Sequence, residues 1–181
     1  MTLNYKQSEA LDILENNTHN ELIFGGGAGS SKSFLGCYWI LKMCLKYSGT
    51  RWLIGRSRLK ALKETTLNTF FEVCKLQGVL SDIHYNYNAQ SNTIRFFNGS
   101  EILLKDLFHY PADPQYDSLG SLEITGAFID EANQISELGW NIVKSRIRYK
   151  LDEYKLIPKI LGTCNPSKGF IYQEFYKPNK E

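Results

Sequence analysis

Apolar residues recur at helical spacing between Ser31 and about Tyr47, where Phe34, Leu35, Tyr38, Trp39, Leu41 and Leu45 form one stripe. Residues 58–77 repeat the pattern with Leu59, Leu62, Leu67, Phe70, Phe71 and Cys74, and residues 5–16 do so more briefly with Leu11 and Leu14. Two short apolar runs separate these helices. Glu21–Phe24 is halted by Gly25-Gly26-Gly27, and Trp52–Ile54 follows the second helix. Both read as buried strands. The chain therefore opens helix, strand, helix, strand, helix, and alternation of this kind predicts an α/β layer structure with a parallel sheet.

From residue 83 to 107 the period changes to two. His84–Tyr87 and Thr93–Phe97 alternate, and Asn98-Gly99 is a strong hairpin turn, so two or three antiparallel strands are expected at the sheet margin. Ile124–Ile129 reads as a third buried strand, ending in Asp130-Glu131. Ser136 and Glu137 open a helix predicted to run to about Tyr149, and Lys159–Gly162 leads as a fourth strand into Thr163-Cys164-Asn165-Pro166. No repeat, linker or low-complexity stretch divides the chain, and its 181 residues suit a single domain, 1–181.

Composition narrows the class a little further. With 43% apolar and 22% charged residues the chain has the balance of an ordinary globular protein. No apolar run approaches the roughly 18 residues of a membrane span, and Met1–Glu15 has no apolar core resembling a secretion signal. Cys37, Cys44, Cys74 and Cys164 lack metal-ligand spacing and read as small buried side chains; His19, His84 and His109 are isolated. Net charge is only +2, but Lys32–Lys75 carries nine basic residues against two acidic ones, and Lys144, Arg146, Arg148 and Lys150 make a second basic cluster. Either stretch suits a phosphate backbone or a solvated surface.

The most specific chemistry lies between the first strand and the helix after it. Gly26, Gly27, Ala28, Gly29, Ser30, Ser31, Lys32 and Ser33 match the phosphate-loop pattern G-x-x-x-x-G-K-[ST], with Ser31 in place of the second glycine. Such a loop turns successive N–H groups toward an anion at the positive end of a helix. Lys32 would reach the outer phosphates of ATP, and the Ser33 hydroxyl would ligate Mg²⁺. Asp130, at the end of an apolar strand 98 residues after Lys32, is a candidate metal-orienting carboxylate. Glu131, one residue on, is a candidate base for the attacking water. Thr163 and Asn165 end the next strand, where ligands of open α/β sheets bind, and are candidates to sense the γ-phosphate.

Together these segments resemble the N-terminal ATPase domain of the bacteriophage terminase large subunits. GGGAGSSKS (25–33) is similar to that family's phosphate loop, FIDEA (128–132) to its Walker B element, GTCNP (162–166) to its coupling motif, and Tyr5-Lys6-Gln7 to its adenine-contacting segment. The resemblance implies a P-loop fold of the additional-strand, catalytic-glutamate type: a mostly parallel sheet flanked by helices, with an antiparallel hairpin at its margin. It implies nucleotide contacts from Tyr5 and Gln7, and Mg²⁺-dependent ATP hydrolysis coupled to packaging of double-stranded DNA into a procapsid. The partners it implies are double-stranded DNA, a portal protein, a small terminase subunit and other copies of the chain in a ring, with a monomer expected in isolation. The implied location is the host cytoplasm, transiently docked on the portal, away from any membrane.

Family members also carry a C-terminal nuclease domain, for which these residues leave no room, so no nuclease activity is expected of them. Many place an arginine just before the Walker B strand to act across subunits; Gln115–Gly120 has none. Arg56, Arg58, Arg146 and Arg148 remain candidates for that role. Two other readings of the motifs stay open: a helicase-like ATPase, and a nucleotide-binding assembly module inactive on its own.

Overall fold

Alternation along the strands sorts side chains into two cores, one on each face of a seven-stranded sheet. The computed structural model describes residues 2–27 and 31–180. Its strands are β1 (Glu21–Gly25), β2 (Arg51–Arg56), β3 (Tyr85–Asn88), β4 (Thr93–Phe96), β5 (Glu101–Asp106), β6 (Gly126–Ile129) and β7 (Ile160–Cys164). They lie in the order β1-β7-β6-β2-β5-β4-β3, with the first five mutually parallel and β4 and β3 antiparallel. Trp52, Ile54, Phe128 and Leu161 point to one face, while Leu53, Ala127, Ile129 and Ile160 point to the other.

The first face is covered by α1 (Tyr5–Glu15), α2 (Lys32–Lys46) and α4 (Leu67–Leu76), whose buried stripes include Leu11 and Leu14, Leu35, Trp39 and Ile40, and Phe70 and Val73. Close approach of α2 to β6 needs a gap in its side-chain surface. Gly36 provides it: a Cβ there would lie 2.3 Å from the Phe128 ring. The second face is covered by α5 (Glu137–Ser145), anchored by Trp140 and Val143 and capped by Ser136, whose hydroxyl accepts from the Gly139 N–H.

Three details depart from the sequence reading. β5 does pair antiparallel with β4 but also lies parallel to β2, so it belongs to the main sheet and only β3 and β4 form the margin. The helix begun at Ser136 stops at Ser145 instead of about Tyr149, because Ile147 bridges to Ile124 and the Arg148 and Tyr149 N–H groups donate to the Ile124 carbonyl. The helix of residues 58–77 is not uniform. Between α3 (Leu59–Ala61) and α4 it widens into a π-helical turn, Leu62–Thr66. Short elements with no counterpart in the sequence reading include α6 (Leu151–Tyr154), a second π-turn, Tyr172–Tyr176, and the 3-10 turns Asp117–Leu119 and Ala132–Gln134. No helix among the described residues is long and apolar enough to cross a membrane.

Candidate functional site

Register across the sheet determines which residues meet. Ile129 pairs with Gly162 on β7 and with Gly55 on β2, so the next rung holds Thr163, Asp130 and Arg56 side by side at the C-terminal edge of the parallel strands. Open α/β sheets bind ligands at this edge. Gly25, which ends β1, pairs with Cys164, and the Gly26 N–H donates to the Cys164 carbonyl, so the phosphate loop leaves the sheet at the same edge.

Asp130 is the hub. It is buried, and its carboxylate accepts from Ser33 Oγ at 2.9 Å, Thr66 Oγ1 at 2.6 Å, Thr163 Oγ1 at 2.7 Å and the Glu131 N–H at 3.2 Å. Arg56 Nη1 lies 3.6 Å away. A carboxylate removed from water needs such donors, since burying it unpaired costs several kcal/mol. Ser33 is thereby held 97 residues from its partner in sequence and in direct contact with it in space.

Lys32 is nearly buried, and its ammonium donates to the Gly26 and Gly27 carbonyls at 2.8 and 2.9 Å and to Asn165 Oδ1 at 3.0 Å. The loop, the end of β6 and the end of β7 therefore form one cleft. Cys164 senses two of the charges there. Burial pushes the thiol pKa up, the nearby Glu131 carboxylate raises it further, and the Lys32 ammonium pulls it down.

Two residues of the cleft sit in left-handed backbone without being glycine. Ser31 has φ +53° and Glu131 has φ +51°. Each costs of order 1–3 kcal/mol and persists only where the surroundings enforce it, a pattern concentrated at functional sites. Among the described residues no side chain hydrogen-bonds the half-buried Glu131 carboxylate. It is available to a solvent molecule or a ligand.

Gln7 is buried beside the loop, whereas Tyr5 is 82% exposed. Ala28, Gly29 and Ser30 lie outside the described residues. The four arginines separate. Arg56 stands in the cleft, with Nη1 donating to Thr65 Oγ1 at 2.6 Å. Arg58 stacks on Phe108, its guanidinium carbon 3.4 Å from the ring centre. Arg146 and Arg148 lie at the opposite edge of the sheet, beside Ile124, where Arg148 pairs with Glu123 at 3.1 Å. Thr66, absent from the sequence reading, is 1% exposed. Its signal was a hydroxyl within the apolar series Leu62, Thr66, Phe70, Cys74, at four-residue steps.

The donor set suits Mg²⁺. Among the described residues no group of three or more His, Cys, Asp or Glu side chains could hold a metal. A single carboxylate beside a serine hydroxyl is the sparse, all-oxygen arrangement by which Mg²⁺ is held when phosphates and water complete its shell.

The family model for the phage terminase large subunit matches residues 18–181, which include the loop, the paired acids and the end of β7. The chain belongs to that family. Among solved structures it resembles the large terminase of a thermophilic bacteriophage, with a TM-score of 0.76 at 15% identity over 99% of this chain and 43% of that one. The same large terminase in complex with ATP-γ-S gives a TM-score of 0.74 at 14% identity, covering 98% of this chain and 42% of that one. The large terminase ATPase domain of Thermus phage P74-26 gives 0.61 at 16% identity, covering 90% of this chain and 66% of that domain. Identities this low establish the shared fold, which is that of the terminase ATPase domains. The chain spans less than half the length of the first of these proteins. No curated protein matches it.

Proposed function

We propose that this chain is an ATPase motor unit of a phage terminase large subunit, hydrolysing Mg²⁺-ATP to drive double-stranded DNA into a procapsid. The observation that carries the reading is the meeting of Lys32, Ser33, Asp130 and Asn165 in one cleft, since a triphosphate site needs a cation, a metal hydroxyl and a metal carboxylate within one ligand's length. The family adds the packaging context: a ring of copies docked on a portal in the host cytoplasm, with a small terminase subunit supplying DNA.

In this reading the loop N–H groups and Lys32 bind and orient the phosphates, and Ser33 and Asp130 would hold Mg²⁺. When bound, that ion neutralises charge on the outer phosphates. Thr66, Thr163 and Arg56 fix the Asp130 carboxylate, which keeps Ser33 and the start of α2 in place. Glu131 receives the proton of the attacking water. Asn165, bonded to Lys32, loses that partner once the lysine turns to a phosphate, and so links nucleotide occupancy to the end of β7.

Glu131→Gln tests the assignment. ATP affinity is expected to hold while turnover falls by about 10²-fold or more, the scale of a positioned general base. Undiminished turnover would remove Glu131 from the mechanism.

A further inference from the structure

Ser31 occupies the loop position at which the phosphate-loop pattern has glycine, and it is in left-handed backbone, φ +53° and ψ 34°. A Cβ in that region is crowded against the following carbonyl, which is why glycine is usual there. Ser31 is also the N-cap of α2, yet its side chain makes no capping bond. Its hydroxyl does nothing to offset the strain.

The Ser31 carbonyl is held instead. It accepts the first bond of α2, from the Leu35 N–H at 3.3 Å, and a second bond from Gln7 Nε2 at 3.1 Å, 24 residues upstream. The other end of the Gln7 amide is also committed. Oε1 accepts the Asn4 N–H at 3.0 Å, closing a capping box in which Asn4 Oδ1 accepts the Gln7 N–H at 2.9 Å. Gln7 is 5% exposed while Ser31 is exposed, so the bridge is partly buried, reaching from the packed start of α1 to the surface of the loop. One side chain thus ties the capped start of α1 to the strained residue just before Lys32.

We infer that Gln7 is a positioning residue for the phosphate loop, holding Ser31 in the left-handed conformation that a glycine would adopt unaided. This rests on the proposed triphosphate site and goes beyond it. A glutamine that contacts adenine discriminates between bases; one that sets the loop acts equally on every triphosphate. The bridge also offsets the departure of Ser31 from the pattern, so a glycine at 31 makes Gln7 dispensable.

The test compares binding of ATP, GTP and base-free tripolyphosphate with Mg²⁺ by calorimetry, for the unaltered chain, Gln7→Met, Ser31→Gly and the double variant. Methionine keeps the length and removes the amide without adding charge. Gln7→Met is expected to weaken all three ligands by a similar factor, about three- to ten-fold for one lost, partly buried hydrogen bond. Ser31→Gly in that background is expected to restore most of the loss. Asn4→Ala, which breaks the cap but leaves Gln7 Nε2 on Ser31, is the control for helix stability and is expected to bind all three normally.

A loss confined to ATP would make Gln7 a base reader and overturn the inference, as would no loss at all or no recovery with glycine. If the unaltered chain binds none of the three, the triphosphate site itself falls and the inference with it. If it binds all three and Gln7→Met changes none, only the inference falls.

Discussion

Lys32 Nζ stands 3.0 Å from Asn165 Oδ1, so a loop at one edge strand and the end of its neighbour are joined by a hydrogen bond spanning 133 residues. Two further acceptors of the lysine, the Gly26 and Gly27 carbonyls, belong to the loop itself. These are oxygens that a phosphate would replace as acceptors of the ammonium. Lys32→Ala is expected to weaken ATP binding about 10- to 100-fold, the range for a hydrogen bond to a charged group. Calorimetric titration with Mg²⁺-ATP checks both the sign and the size.

Thr66 donates to Asp130 at 2.6 Å from a fully buried position. Thr66→Val keeps the shape and removes the donor. The expected cost is about 1.5–3 kcal/mol of stability, read from the urea midpoint at constant m-value. Thr66→Ser keeps the hydroxyl and is expected to retain most of it. Equal losses in the two variants would mean that packing, not donation, is what Thr66 contributes.

Gly36 lets the Phe128 ring lie directly against α2. Gly36→Ala places a methyl group 2.3 Å from that ring, and overpacking of this kind costs about 1–3 kcal/mol. The same shift moves Ser33, one turn earlier on α2, relative to Asp130 on the strand beneath. Weaker Mg²⁺-ATP binding is therefore expected alongside the lower melting temperature. Gly36→Ala with Phe128→Leu is expected to regain part of both.

Burial pushes the Cys37 and Cys44 thiols well above their ordinary range and Cys74 up to about 12. The unfolded chain ionises these groups near pH 9 while the folded one keeps them protonated. Between about pH 9 and 12 the unfolded state therefore binds fewer protons, and stability falls as pH rises. Thermal melts are expected to drop progressively above pH 9, and less steeply in a Cys37→Ala/Cys74→Ala variant. Alkylation at pH 8 is expected to label these three thiols only after unfolding.

The residues that meet at the candidate site were easier to name from the sequence than the contacts between them. Lys32, Ser33, Asp130 and Asn165 were legible as candidates because a strand end followed by glycines and a helix start, or by paired acids, is a local signal. Asp130 beside Thr163 was not legible as a contact, because it depends on the register between β6 and β7, which no local pattern states. The double role of β5 was hidden for a similar reason: its alternation is the same whether its neighbours run parallel or antiparallel. Gln7 was read for its resemblance to a base-contacting residue, and its bond to Ser31 became visible only once α1 and α2 were packed together.

The π-helical turn at Leu62–Thr66 carries a constraint of a different kind. A wide turn accommodates one residue more than a regular helix would, and it delivers the Thr66 hydroxyl to Asp130 while α4 keeps its apolar face on the sheet. Shortening that segment by a single residue would let the helix wind evenly and leave Phe70 and Val73 on the sheet, but it would close the wide turn that carries the Thr66 hydroxyl to Asp130. Spacing alone, with no change in residue type, is enough to disconnect the two.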